Sequence, residues 1–424
     1  MQTIALTGND WTVPVSIPSG ARLYWLLFGF AFCISSFVLV EPAPVDAVML
    51  LLLALGTVMG TVRLAALSIV PTILLTGLAL ANVVSISLAA DPARAVWYFL
   101  VTFYLMTSWA LCIGALDVGG MPLLQVVFRG YSFAALISVA LALASYFHLI
   151  GFQSYLLLYG RPKGLFKDPN VYGPFLVPIA VMAITGCLPI NSRFWQACMA
   201  VVASLGIALS YSRACWINYV ASLALFVVLD LVLPSRSPEA HSVSLSRVFL
   251  FGAVASLAVL AILQVPSVQT MLTVRLGQGG MHDYDQIRFQ TQRMAVQAAI
   301  DHPLGIGPGQ SEATFQYATH SSYMRVLSEN GLFGLCCFVG FALASVIQAV
   351  RKACLAETAA WRGLFVASAA CICGQLINSG VVDTVHWRHF WILLALPWIP
   401  ARVWSSSNEN PAPGFDLTDR RRTQ

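Results

Sequence analysis

Four stretches of this sequence bring basic, acidic and imidazole side chains together at spacings suited to an anionic ligand. The first is Arg161-Pro-Lys163-Gly-Leu-Phe-Lys167-Asp168-Pro-Asn170, with three cations in seven residues. Pro162, Gly164, Pro169 and Gly173 punctuate it as a structured loop running into a helix, and Asn170 is placed to be that helix's N-cap. A solvated basic loop is the plainer reading. The second stretch is Ser212-Arg213, pressed by apolar runs on both sides. A charge at the bilayer centre costs at least ~2.5–3.5 kcal/mol on insertion scales. Arg213 must therefore face a cavity, partner or ligand, or snorkel to the interface. Arginine suits phosphate because its planar fork donates two parallel hydrogen bonds.

The third stretch lies in the long connection from Val265 to His320. Asp283-Tyr-Asp285 can be read as a DxD metal motif of nucleotide-sugar transferases. The same residues also read as a helix start, with Gln286 three positions after Asp283 and acids in the first turn. On that reading an amphipathic helix runs from Tyr284 to about Ile300. Ile287, Thr291, Met294 and Ala298 form one stripe, and Arg288, Gln292 and Ala295 a neighbouring one. Such a helix can lie on the membrane interface, and Pro303 stops it. Gly305-Ile-Gly307-Pro-Gly309 follows no strand and fits no Walker or Rossmann context, so it reads as a tight backbone turn. The fourth stretch holds His320, Tyr323, Arg325 and Glu329. The last two are four apart and share a helix face. A histidine titrates near neutral pH and can take a hydroxyl proton. An interfacial ion pair beside a solvated His is the alternative. A final segment, Asp383 to Trp391, mixes titratable groups with Trp387 and Trp391, which an aromatic belt explains.

The elements that position these groups follow from composition. Hydrophobic residues make up 58% and charged residues 10%, with a mean hydropathy of +0.78. A soluble domain carries about 25% charge, and a single soluble core stops growing near ~250–300 residues. A soluble enzyme, a disordered chain and a nucleic-acid-binding module are excluded. Apolar runs of ~20 residues recur, at 23–40, 45–62, 64–88, 95–116, 130–150, 171–190, 194–211, 214–233, 248–264, 322–350, 359–379 and 384–403. They predict an all-α polytopic membrane protein of about twelve transmembrane helices.

The expected organisation is an N-terminal bundle of about nine helices over 1–264, an outer loop over 265–320, C-terminal helices over 321–404 and a cytoplasmic tail over 405–424. The polar N-terminus lacks the pattern of a cleaved signal peptide. The cysteines fall mostly within apolar runs and read as small packers, with no metal spacing among them. With both termini cytoplasmic, Arg22, Arg63, Arg129, Arg193, Lys352, Arg362 and Arg402 fall inside, as topology prefers. Arg94, Arg161, Lys163, Lys167, Arg213, Arg288, Arg325 and Arg388 fall outside, against that preference. An anionic ligand at the outer face accounts for them.

Taken in order, Arg161-x-x-Gly164-x-Phe166-x-Asp168-Pro-Asn170, Ser212-Arg213, Arg288, His302-Pro-Leu-Gly-Ile-Gly307-Pro-Gly309 and His320-x-x-Tyr323 with Glu329-x-Gly331 and Gly334 resemble the bacterial O-antigen ligase and polymerase superfamily. The resemblance runs from about Arg161 to Trp391. It implies a GT-C-like membrane glycosyltransferase with a large helical periplasmic loop, in the bacterial inner membrane. Its donor is a glycan on undecaprenyl pyrophosphate, and its acceptor is the sugar of lipid A–core or a second carrier-linked glycan. Arg213 and Arg288 then bind the pyrophosphate, assisted by Arg161, Lys163 and Lys167. His320 is the candidate base and Glu329 orients or replaces it. Asp168, Asn170, Tyr323, Arg325, Gly307 and Gly309 are structural or position substrate. No metal and no cofactor are expected. The sequence departs from the family at Ser321, where an Asn usually follows the motif His. A repeat-unit polymerase for O-antigen, capsule or exopolysaccharide is the alternative, and a transporter of lipid-linked sugars a more distant one.

Overall fold

In lipid every backbone polar group must be satisfied within the chain, so apolar runs have to be helical. Each run above is helical over most of its length in the computed structural model, which describes residues 19–236, 245–276 and 283–405. Most of the N-terminal polar stretch and of the expected tail lies outside the described residues, as do the side chains of Asp283 and Asp285.

The chain opens with α1 (Ser19–Cys33), α2 (Pro44–Val58) and α3 (Ile69–Ile86). Then α4 (Pro92–Tyr146) runs for 55 residues, starting at an Asp91 cap that accepts from the Arg94 amide at 3.0 Å. The two spans expected at 95–116 and 130–150 are its two halves. Gly120 breaks it at φ 57 and ψ −152, a conformation that only glycine adopts readily, and Pro122 opens the second half. A short α5 (Gln153–Leu156) leads to a two-stranded hairpin of β1 (Leu157–Leu158) and β2 (Arg161–Pro162). Next come α6 (Pro169–Ile184), α7 (Arg193–Leu209) and α8 (Arg213–Val232). They are followed by α9 (Leu245–Ile262), α10 (Pro266–Leu276) and α11 (Asp283–Asp301). The chain closes with α12 (Ser311–Phe315), α13 (Ser322–Leu355), α14 (Ala359–Ser379), α15 (Arg388–Ala395) and α16 (Ala401–Trp404).

Among the described residues, α3, α4, α8, α13 and α14 are long and apolar enough to cross a membrane, and α9 with α10 forms a sixth only if its 92° bend lies within one span. The remaining expected spans are shorter helices. The last one is broken around Pro397 and Pro400, which cannot continue an α-helix.

Packing centres on α13, held between α3 and α14, while α14 lies against α8, α6 against α7 and α1 against α4. Small residues permit these approaches. A Cβ on Gly374 would sit 2.1 Å from Ser222 Oγ on α8. At one end, buried cations tie helix ends together. Arg362 donates to the carbonyls of Asp230, Leu233 and Pro234, where α8 stops, and Lys352 donates to the Ile399 carbonyl. Arg402 pairs with Asp117 at the α4 break. The opposite end carries every motif described above.

Candidate active site

The basic loop is built around Arg161. It is buried in the hairpin, and its Nε and Nη2 donate to the Ser210 carbonyl at 3.2 and 3.0 Å. Nη2 also donates to Asn170 Oδ1 at 3.3 Å. The cap of α6 differs from the expectation. The helix begins at Pro169, and Asp168, not Asn170, caps it by accepting from the Asn170 amide at 2.6 Å. Proline suits the first helical position and so moves the cap back to the residue before it. Asn170 Oδ1 thereby accepts from both Arg161 and Ser212 Oγ, the latter at 2.8 Å. One amide oxygen joins the basic loop to the Ser212-Arg213 stretch. Lys167 is exposed and pairs with Glu41 at 2.8 Å. Burial lowers the Lys163 ammonium, against the pull of Asp168.

Ser212 caps α8 by accepting from the Cys215 amide at 3.4 Å. This leaves Arg213 exposed in the first turn of a 20-residue helix. The partial positive charge of that helix end adds to the guanidinium, so the position favours an anion.

The helix expected from Tyr284 is present as α11. Its orientation differs from the expected stripes. Thr291 and Ala295 are buried, with Arg288 and Gln292 beside them, and this face meets α13. Ile287, Phe289, Val296 and Ile300 point outward. Polar side chains take the inner face because they find main-chain carbonyls there. Arg288 Nη2 donates to the His320 carbonyl at 3.2 Å, and Gln292 Nε2 to the Thr319 carbonyl at 3.1 Å. His320 itself sits at φ 46, in the left-handed region, with its ring edge-on to Tyr317. Burial and the Arg288 guanidinium push its imidazole below the ordinary 6.5, opposed by Asp168, Asp383 and Glu312. The loop, Arg288 and His320 thus act on one another although they are far apart in sequence.

Arg325 and Glu329 lie below this centre in a buried charge cluster. Arg325 donates to Asp383, donates to Glu329 Oε2 at 3.3 Å and approaches Glu312 at 3.6 Å, with its guanidinium 5.1 Å from the centre of the Tyr98 ring. The other oxygen of Glu329 accepts from Ser311 Oγ at 2.5 Å. Glu329 is therefore held between Arg325 and Ser311. Burial alone would raise the Asp383 carboxyl, but Arg325, His386 and the Val385 amide together hold it below the usual carboxylate range. Tyr323 donates to the Leu376 carbonyl at 2.6 Å and ties the start of α13 to α14.

The glycine string works as a clamp. Ile306 and Gly307 amides donate to the Ser328 and Glu329 carbonyls. Gly309 presses on Tyr98, where a Cβ would lie 2.3 Å from the ring. Across from it α13 breaks at Gly331, φ 68 and ψ −176. The expected single span at 322–350 is consequently two helices, and the first carries Arg325 and Glu329.

Asp46, Glu312, Asp383 and His386 are not among the expected site residues, and the sequence marks Arg388 only as an outer cation that breaks the topology preference. Asp46 carried a signal, since an acid at the head of an apolar run needs a reason. Its carboxylate is bidentate with Arg388, at 2.5 and 2.5 Å. Asp46, Asp383, His386 and Arg388 line a cavity of ≈ 580 Å³ that also reaches Arg325, Lys167 and Trp97. Among the described residues, no group of three His, Cys, Asp or Glu side chains is placed to hold a metal.

Residues 198–339 match the family profile described as O-antigen ligase. The matched segment contains Arg213, Arg288, His320, Arg325 and Glu329, and it leaves out the basic loop and Asp383. None of the curated proteins matches the chain.

Proposed function

We propose, for a chain whose residues 198–339 carry the O-antigen ligase domain of that superfamily, inverting transfer of a glycan from undecaprenyl pyrophosphate to an acceptor sugar hydroxyl at the outer face of the bacterial inner membrane. The observation that supports this best is the hydrogen bond from Arg288 to the His320 carbonyl, 3.2 Å long. It ties the guanidinium read here as phosphate-binding to the backbone of the residue read as the proton acceptor, and a displacement with an anionic leaving group needs two such groups held close.

In this reading Arg213, Arg288 and the positive end of α8 hold the pyrophosphate. Lys163 and Lys167 extend that positive surface, and Arg161 fixes the loop that bears them. His320 accepts the proton of the acceptor hydroxyl, whose oxygen bonds the anomeric carbon as the bond to the pyrophosphate breaks. The electron pair leaves on the pyrophosphate, where the arginines stabilise it. A lowered imidazole is neutral near pH 7 and ready to accept. Glu329 acts through Arg325 and Ser311, holding the segment on which His320 sits. The acceptor in this proposal is lipid A–core, and the charges support the polymerase reading equally.

Transfer from a purified carrier-linked glycan tests the proposal. Arg213→Ala and Arg288→Ala are each expected to lower the rate about 10²–10³-fold, the typical cost of removing one group that stabilises a developing anion. The variant proteins should remain in the membrane at wild-type levels. Defined acceptors separate ligase from polymerase: product on lipid A–core marks the first, product on a second carrier-linked repeat the second. Wild-type rates in both arginine variants would sink the reading.

A further inference from the structure

The cavity has one wall that the proposed chemistry does not use. Its floor is apolar, with Phe32, Met49, Leu100 and Leu105, while Glu41, Lys167, Asp383 and Arg388 lie among its charged lining. A lipid with a phosphate head and a hydrocarbon tail divides the same way. The wall in question is α2 with the turn before it. It is thin, burying Val45, Asp46, Met49, Leu52 and Gly56, with Leu51 and Val58 exposed and outside the cavity lining.

Two ion pairs pin that wall to the rest of the protein. Glu41 meets Lys167 at 2.8 Å with both side chains about half exposed, so this outer pair is weak and screened. Asp46 holds Arg388 in two hydrogen bonds of 2.5 Å, largely buried, and is the stronger hold. Both carboxylates belong to the thin wall and both cations to the site side. Lys167 directly precedes Asp168, which acts on His320, and Arg388 acts on His386.

We infer that the Glu41–Asp46 segment is a charge-exchange latch: the phosphate of an incoming lipid takes Lys167 and Arg388 from the two carboxylates, and the released wall admits the hydrocarbon chain sideways from the bilayer. The exchange keeps an anion on Arg388 in both states. Release of the wall carries Asp46 out to water, so neither charge of the pair is left buried alone, which is the costly outcome when one partner is simply removed. The inference rests on the proposed function only in taking the ligand to be a lipid phosphate.

Undecaprenyl monophosphate is the probe, titrated into the full chain in phosphatidylcholine nanodiscs, with bound lipid counted by native mass spectrometry. Asp46→Asn removes the latch charge at nearly constant shape and is expected to raise the bound fraction several-fold at subsaturating lipid. Arg388→Ala is expected to lower it. The pair Glu41→Cys/Lys167→Cys, bridged by a short bis-methanethiosulfonate, should bind several-fold less until the bridge is reduced, with wild type treated identically as the control. Bridged and reduced forms are one polypeptide in one fold, so they carry the test if Asp46→Asn does not fold. Equal binding in wild-type, Asp46→Asn and bridged proteins overturns the latch. Transfer assays on the same proteins keep the two readings apart. A latch response without glycan transfer sinks the transferase alone, and transfer without a latch response sinks the latch alone.

Discussion

Single side chains at this site divide into buried cations that hold the chain together and cations that the proposed transfer assigns to a ligand. Arg325 is of the first kind, buried among Glu312, Glu329 and Asp383. Breaking a buried pair by removing one partner costs about 3–5 kcal/mol, so Arg325→Ala should lower the melting temperature sharply. Arg213 is exposed, and Arg213→Ala should leave melting nearly unchanged while transfer collapses. The proposed base predicts a pH profile. Neutral His320 is the active form and its value is lowered, so the rate should rise with pH through an inflection below 6.5. Arg288 contributes to that lowering, hence the residual activity of Arg288→Ala should show an inflection moved up toward 6.5.

Among the elements, the helix breaks are decisive. Gly331 lets α13 turn so that Arg325 and Glu329 leave the line of the span and meet Asp383 and Ser311. A Cβ there would sit 2.2 Å from the Pro303 carbonyl oxygen at a positive φ. Gly331→Ala should therefore cost several kcal/mol in strain and clash and deplete folded protein, measured by size-exclusion yield. Gly252→Ala in α9, with nothing within 4 Å of the new atom, should be tolerated. The existence of the helices was legible in the sequence because hydropathy and lipid together leave no other backbone solution. Their breaks were not. A glycine in an apolar run is also an ordinary packing residue in membranes, and Gly374 is one. The α11 helix shows the same boundary: its start was readable from Asp283 and Gln286, whereas its inward face was set by the carbonyls of Thr319 and His320, which no periodicity reveals. The basic residues at the other end were read as topology signals, and Arg362 and Lys352 turn out to cap helix ends as well.

On the scale of the whole molecule, the protein gathers its motif residues at one end and builds a half-apolar, half-charged cavity beside them. If glycan transfer occurs there, Cys substitutions at Arg213, Arg288 and His320 should react with a membrane-impermeant thiol reagent from one side of oriented vesicles only. Reactivity from both sides in turn would indicate a transport path and overturn the transferase reading. The sequence by itself determined that this is an all-α membrane chain, and it marked Arg161, Arg213, Arg288 and His320, because ionic groups in so apolar a chain are costly enough to stand out one by one. It did not determine which of them are tied into the fold by buried partners. Arg161 and Arg325 have the same chemistry as Arg213, and only the positions of Ser210, Asn170, Glu329 and Asp383 commit them to holding the fold. It also left Asp46 and Arg388 as strangers 342 positions apart. Their pairing, and the cavity they close, depend on α2 and α15 meeting across the bundle, and a contact of that range is decided by packing in three dimensions.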